Sequence, residues 1–116
     1  MTKQFRIKAD DIKPLATGHG GCLATDMITV EGYPVRFMYR EPPDHELDSG
    51  WRFLSGFESE DYMDNAENHG AYDVNTIANY DPSIIPFLEE PEGSVFERPA
   101  ETEQFVPVEN WEPRDD

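Results

Sequence analysis

The chain is poor in cysteine, in basic residues and in long apolar runs. Its 116 residues hold one cysteine, Cys22, so no disulfide can form within it. That excludes a disulfide-held scaffold and points to a reducing compartment. No stretch approaches the roughly 20 apolar residues that a membrane-spanning helix needs. The opening Met1-Thr2-Lys3-Gln4-Phe5 lacks the apolar run of a signal peptide. A soluble protein that stays in the cytoplasm is the expectation. Lys and Arg number 9 against 25 Asp and Glu, a formal net charge of −16. Such a balance repels nucleic acid and anionic membranes and draws basic proteins. It also has a plainer meaning, because acidity by itself favours solubility.

Motifs of chemistry are scarce as well. Asp44, Glu46 and Asp48 are spaced like the start of a calcium loop. The glycine then falls at the seventh position, Gly50, and the twelfth is Ser55 where a glutamate is needed. A solvated acidic loop explains the spacing better. His19 and Cys22 form His-x-x-Cys with no second ligand pair nearby, which is too little for a structural zinc site. A buried thiol beside a glycine turn is the simpler account. Gly18-His19-Gly20-Gly21 misplaces the third glycine of a dinucleotide fingerprint, and no Gly-Lys-Ser/Thr phosphate loop occurs. His45 and His69 lie in polar stretches. Paired carboxylates are defined by separation in space, so 25 acids neither reveal nor exclude them. The expectation is a binding protein without a cofactor or metal, not an enzyme.

What the chain does have is one domain's length and enough apolar residues, 37%, to bury a core. Val35, Phe37 and Tyr39 alternate with Arg36, Met38 and Arg40, predicting a strand over Tyr33–Arg40 with one buried face. Trp51–Ser55 reads as a neighbouring antiparallel strand with Trp51 and Phe53 in the core, joined through a long acidic loop. Cys22–Val30 reads as another strand with a turn near Asp26, and Ser94–Arg98 as a last one. Glu58–Gly70 lacks apolar periodicity and reads as a loop or frayed helical turn. Asp73 can cap a helix over Val74–Asn79. Asp81-Pro82 starts another, which Pro86 keeps short or kinks. Asn75 and Asn79 share one helix face, suited to tying loops to the body. The fold class is then α+β: a single small domain, an antiparallel sheet, short helices on one side and an extended acidic tail. Residues 1–19 form a lead-in, 20–98 the domain and 99–116 the Pro- and Glu-rich tail, which Phe105, Val106, Val108 and Trp111 could anchor.

The charge is divided unevenly. Residues 1–40 hold six basic residues and four acids, whereas residues 41–116 hold only Arg52, Arg98 and Arg114 against 21 acids. Two acidic segments combine charge with loop character: Asp44, Glu46 and Asp48 in one, and Glu58, Glu60, Asp61, Tyr62 and Asp64 in the other. A rigid tyrosine among carboxylates offers an apolar anchor with steering charge, so these eight residues are the candidate partner-binding set. A merely solvated loop is the competing account for each of them.

Five blocks carry a resemblance. They are Met38-Tyr39-Arg40-Glu41-Pro42-Pro43-Asp44, Asp48-Ser49-Gly50-Trp51-Arg52-Phe53-Leu54-Ser55-Gly56, Tyr62-Met63-Asp64-Asn65, Tyr72 through Pro82, and Gly93-Ser94-Val95-Phe96-Glu97-Arg98. Together, over roughly residues 20–98, the chain resembles the bacterial immunity-protein family numbered thirty-three. The resemblance implies a partner: a toxin made by the same cell and delivered to competitors, often through a contact-dependent or type VI secretion route. The immunity protein stays behind and occludes the toxin domain. No residue-level binding site comes with it. A basic nuclease is the toxin that an acidic inhibitor complements most directly. Two alternatives stand beside this: an acidic DNA mimic or regulatory binder with no toxin, and a small metal-dependent enzyme or ligand-binding protein.

Overall fold

A computed structural model describes residues 5–99 and 104–108. Among these residues lie the strands β1 (Gly21–Thr25), β2 (Phe37–Arg40), β3 (Asp48–Leu54), β4 (His69–Asp73), β5 (Val95–Glu97) and β6 (Val106–Pro107). They form one sheet in the order β4-β1-β3-β2-β5-β6. Short helices punctuate it: α1 (Asp26–Thr29), α2 (Glu60–Asp64) and α3 (Val74–Tyr80), with a 3-10 segment over Pro82–Phe87. The α+β class holds.

The sheet is mixed, which corrects the antiparallel expectation. β1 runs parallel to β3, while the other pairings are antiparallel. The cause is topological. β1 and β2 run in opposite directions with one lane between them, and β3 returns from β2 into that lane. A strand placed there must be parallel to one neighbour and antiparallel to the other. The long acidic connection between β2 and β3 is as the sequence predicts, with Tyr39 opposite Arg52 and Met38 opposite Phe53.

β2 is shorter than the alternation predicts. Arg36 still bonds by its backbone to Leu54 and Arg98 on the two sides, but the Val35 N–H donates to Asp81 Oδ2 at 2.9 Å, so the chain before Arg36 is held by a side chain instead of a ladder. Met38 is the fully buried residue of the strand, and Phe37 and Tyr39 share the other face, half-buried. β4 is a strand where Glu58–Gly70 reads as loop up to its first residues. His-Gly-Ala-Tyr-Asp is a poor strand sequence, and pairing with β1 supplies what propensity does not.

The helical expectations fare well because their signals are local. Asp73 caps α3 by accepting the Asn75 N–H at 2.8 Å. Asp81 caps the next segment through the Ser83 N–H, and Pro86 inside it leaves a 3-10 helix. Asn75 and Asn79 tie the lead-in to α3. Asn75 Oδ1 accepts from the Leu15 and Ala16 N–H groups at 2.8 Å, and Asn79 Oδ1 accepts from Lys13 N–H at the same distance.

The core lies on one face of the sheet. Cys22, Ala24, Met38, Trp51, Phe53 and Phe96 meet Ile28 of α1, Val74, Ile77 and Ala78 of α3, and Ile84. Trp51 and Phe53 stack with centroids 6.1 Å apart, and Trp51 donates its indole N–H to the Leu88 carbonyl at 3.1 Å. Phe105 is also buried, its ring 5.4 Å from that of Phe87. That part of the expected tail is anchored, with β6 added to the sheet edge. Trp111 lies outside the described residues, as does most of the tail. The helices are not all on the core side: Met63 of α2 lines the opposite face.

Candidate functional site

The face opposite the core is open and half-apolar. Alternation places Leu23, Phe37, Tyr39, Arg52, Leu54 and Val95 on it. Leu23 is exposed, and Phe37, Tyr39 and Leu54 are only half-buried. A sheet face of this kind is normally covered by a second layer. Here α2 covers one side of it and leaves three adjoining hollows. One, of about 420 Å³, is bordered by Leu23, Leu47, Asp44 and Arg52. A small one, of about 150 Å³, lies among Leu23, Tyr39, Met63 and His69. The third, of about 410 Å³, is bordered by Phe37, Leu54, Phe57 and Glu97.

Arg52 stands at the centre of this face, and its side chain is only 5% exposed. Three carboxylates surround it. Asp48 grips it twice, at 2.9 Å to Nη1 and 2.8 Å to Nη2, and Glu41 accepts from Nε at 2.5 Å. Asp44 lies farther off, at 3.9 Å. In a regular strand, Cα atoms four residues apart are separated by about 13 Å. The register of β1 against β3 breaks between Gly21 and Leu23, opposite Gly50, and this bulge alters that spacing. Gly50 has φ +91°, and a Cβ there would stand 2.1 Å from the Glu41 carbonyl oxygen, so only glycine serves. The hydrogen bonds from Arg52 hold the Asp48 carboxyl well below the ordinary carboxylate range, against the opposing effect of burial. Burial pulls the Arg52 guanidinium down, but the bonds to Asp48 and Glu41 outweigh it and raise it overall.

The eight candidate residues therefore divide into two kinds. Asp48 and Glu58 are spent inside the molecule. Besides Arg52, Asp48 accepts the Asp44 and Gly50 N–H groups at 2.9 Å. Glu58 accepts the Ser55 N–H at 2.7 Å, the Gly56 N–H at 2.9 Å and the Thr25 hydroxyl at 2.5 Å. Asp44, Glu46, Glu60, Asp61 and Asp64 are exposed. Tyr62 is half-buried, its phenol raised by burial and then by the charge of Asp26. It is packed toward α1, not offered outward. The sequence had no signal for which acids would be consumed, because their partners are backbone N–H groups and an arginine positioned by the bulge.

The remaining chemical candidates also have places. Cys22 is buried in the core, and burial, then the charge of Asp73, push its thiol far up, away from the thiolate a nucleophile needs. Of the three acids spaced like a calcium loop, Asp48 grips the guanidinium of Arg52, Asp44 stands 3.9 Å from it and Glu46 is exposed. Among the described residues no group of three or more His, Cys, Asp and Glu side chains is placed to hold a metal ion. Among the same residues no helix is long and apolar enough to cross a membrane.

A family model described as the immunity protein Imm33 domain matches residues 22–109. The chain belongs to the Imm33 immunity protein family. The match takes in every block on which the resemblance rested and extends into the segment that carries Phe105 and β6. It makes this an immunity protein domain, for which a cognate toxin is the implied partner. No curated protein and no solved structure matches the chain.

Proposed function

We propose that this Imm33 domain binds a basic toxin domain, most simply a nuclease, and occludes it without chemistry of its own. The family match over residues 22–109 carries the proposal. Supporting it are the net charge of −16 and the exposed acids Asp44, Glu46, Glu60, Asp61 and Asp64. Nuclease surfaces carry Lys and Arg for phosphates, and acids at these positions complement them and speed encounter. The open face of the sheet supplies apolar area between the two acidic segments. Co-expression with a candidate cognate toxin domain tests the reading. The wild-type chain is expected to restore growth. Lysine at Asp44, Glu46, Glu60, Asp61 and Asp64 together is expected to abolish that protection while leaving the fold intact by circular dichroism. Full protection by the five-lysine variant would remove the charge from the explanation, and no protection by the wild type would remove the immunity role against that toxin.

A further inference from the structure

We infer that Leu47 and Phe57 are paired apolar anchors, set at the two ends of β3, by which the open face grips a basic toxin surface. The inference rests on the immunity reading and adds where the toxin sits.

Both side chains are largely exposed, Leu47 at 76% and Phe57 at 65%, and the Phe57 ring rests edge-on against Tyr33 with centroids 5.8 Å apart. Their backbones are nevertheless pinned. Around Leu47, Asp48 gathers the Asp44 and Gly50 N–H groups, and the Leu47 carbonyl accepts the Gly21 N–H at 2.5 Å. The Asp48 N–H donates to the His45 carbonyl at 3.1 Å. Around Phe57 the arrangement repeats: Glu58 gathers the Ser55 and Gly56 N–H groups, and the Phe57 N–H donates to Ser55 Oγ at 3.1 Å. In each loop a carboxylate next to the anchor in sequence organises the turn that displays it. The ordering cost of presenting these side chains is largely met before any partner arrives, which is the condition for an efficient hot spot.

Each anchor borders a hollow of the open face. Leu47 stands beside Leu23 and Arg52, and Phe57 beside Phe37 and Leu54. β3 runs between them for seven residues, on the order of 20 Å. One interface of ordinary size, about 800 Å² on each partner, reaches both.

Charge selects the occupant. A second copy of this chain would bring −16 against −16. The anchors are accompanied by exposed acids, Asp44 and Glu46 beside Leu47 and Glu60 and Asp61 beyond Phe57. Arg36 and Arg98 also border the hollow at Phe57, offset there by Glu58 and Glu97. An apolar centre with this net acidic rim fits a partner whose apolar pockets are rimmed by Lys and Arg.

The test uses the full chain with Leu47→Ser, Phe57→Ser and both together, and Glu89→Lys beyond the 3-10 segment as a control. Titration calorimetry against the toxin domain that the wild-type chain neutralises on co-expression, made catalytically silent, supplies the affinities. Thermal melts check folding, and gel filtration with light scattering gives the oligomeric state. The expected result is at least tenfold weaker binding for each single change and at least a hundredfold for the pair. Melting points should hold and the control should stay within twofold. Wild-type binding with both variants within twofold overturns this footprint and leaves the immunity role standing. No binding by the wild type removes the immunity reading and this inference with it. A wild-type dimer that the substitutions split would make a second copy the occupant and overturn the inference.

Discussion

Arg52 shows how much one side chain can depend on its surroundings. In the sequence it is a cation in an alternating strand, flanked by Trp51 and Phe53. In the fold it is buried on the open face and neutralised by Glu41 and Asp48. Removing one partner of such a pair leaves a charge uncompensated, at a cost of about 3 kcal/mol when another acid remains. Asp48→Asn is expected to lower the unfolding free energy by about that much near neutral pH, measured by urea titration. The pH dependence follows from the lowered Asp48 carboxyl. Above the ordinary value of about 3.9 the group is ionised in both states and its contribution is full. Below it the unfolded chain takes the proton first, and the contribution drains until the folded carboxyl is protonated too. The variant should therefore lose stability less steeply than the wild type as acid is added below about pH 4. An equally steep acid limb in both proteins would assign the loss to other carboxylates.

At the scale of elements, α3 was the most legible and β4 the least. α3 carries its own instructions: Asp73 caps it, and Val74, Ile77 and Ala78 recur at helical spacing and are buried. Its asparagines also hold the lead-in, a role their four-residue spacing suggested. Asn75→Ala leaves the Ala16 N–H without its Asn75 acceptor, the Leu15 N–H with the Lys13 carbonyl alone, and that carbonyl without one of its donors. Global stability should fall by about 1–2 kcal/mol, and amide exchange at Leu15 and Ala16 should accelerate more than in the core. Unchanged exchange there would mean that the lead-in is held by other contacts, such as the Ile7 N–H to the Tyr80 hydroxyl at 3.1 Å. β4, by contrast, is built of His, Gly, Ala, Tyr and Asp. Nothing local recommends it as a strand, and its register against β1 comes from residues more than forty positions earlier.

For the whole molecule, acidity and topology act together. The charge lies in residues 41–116, and the fold sets the loop at 44–48 and the segment at 58–64 beside one sheet face. Electrostatic steering of a basic partner is screened over about 8 Å at physiological salt. The association rate with the toxin domain should therefore drop at least tenfold between low salt and about 0.5 M, with a smaller change in dissociation. Stopped-flow measurements at several salt concentrations check this, and a flat association rate would remove steering from the mechanism.

The sequence by itself determined the acidic balance, the Trp51 and Phe53 core positions, the capped helix after Asp73, and the family blocks. Each depends on composition or on residues within one turn or one strand of each other. The tertiary structure decided the parallel pairing of β1 with β3, the capture of Arg52, and the split between spent acids and exposed ones. It also decided that Leu47 and Phe57, apolar residues within polar stretches, stand pinned beside an open face. These depend on which distant backbone N–H groups and carbonyls meet, and that is settled only when β3 enters the lane between β1 and β2.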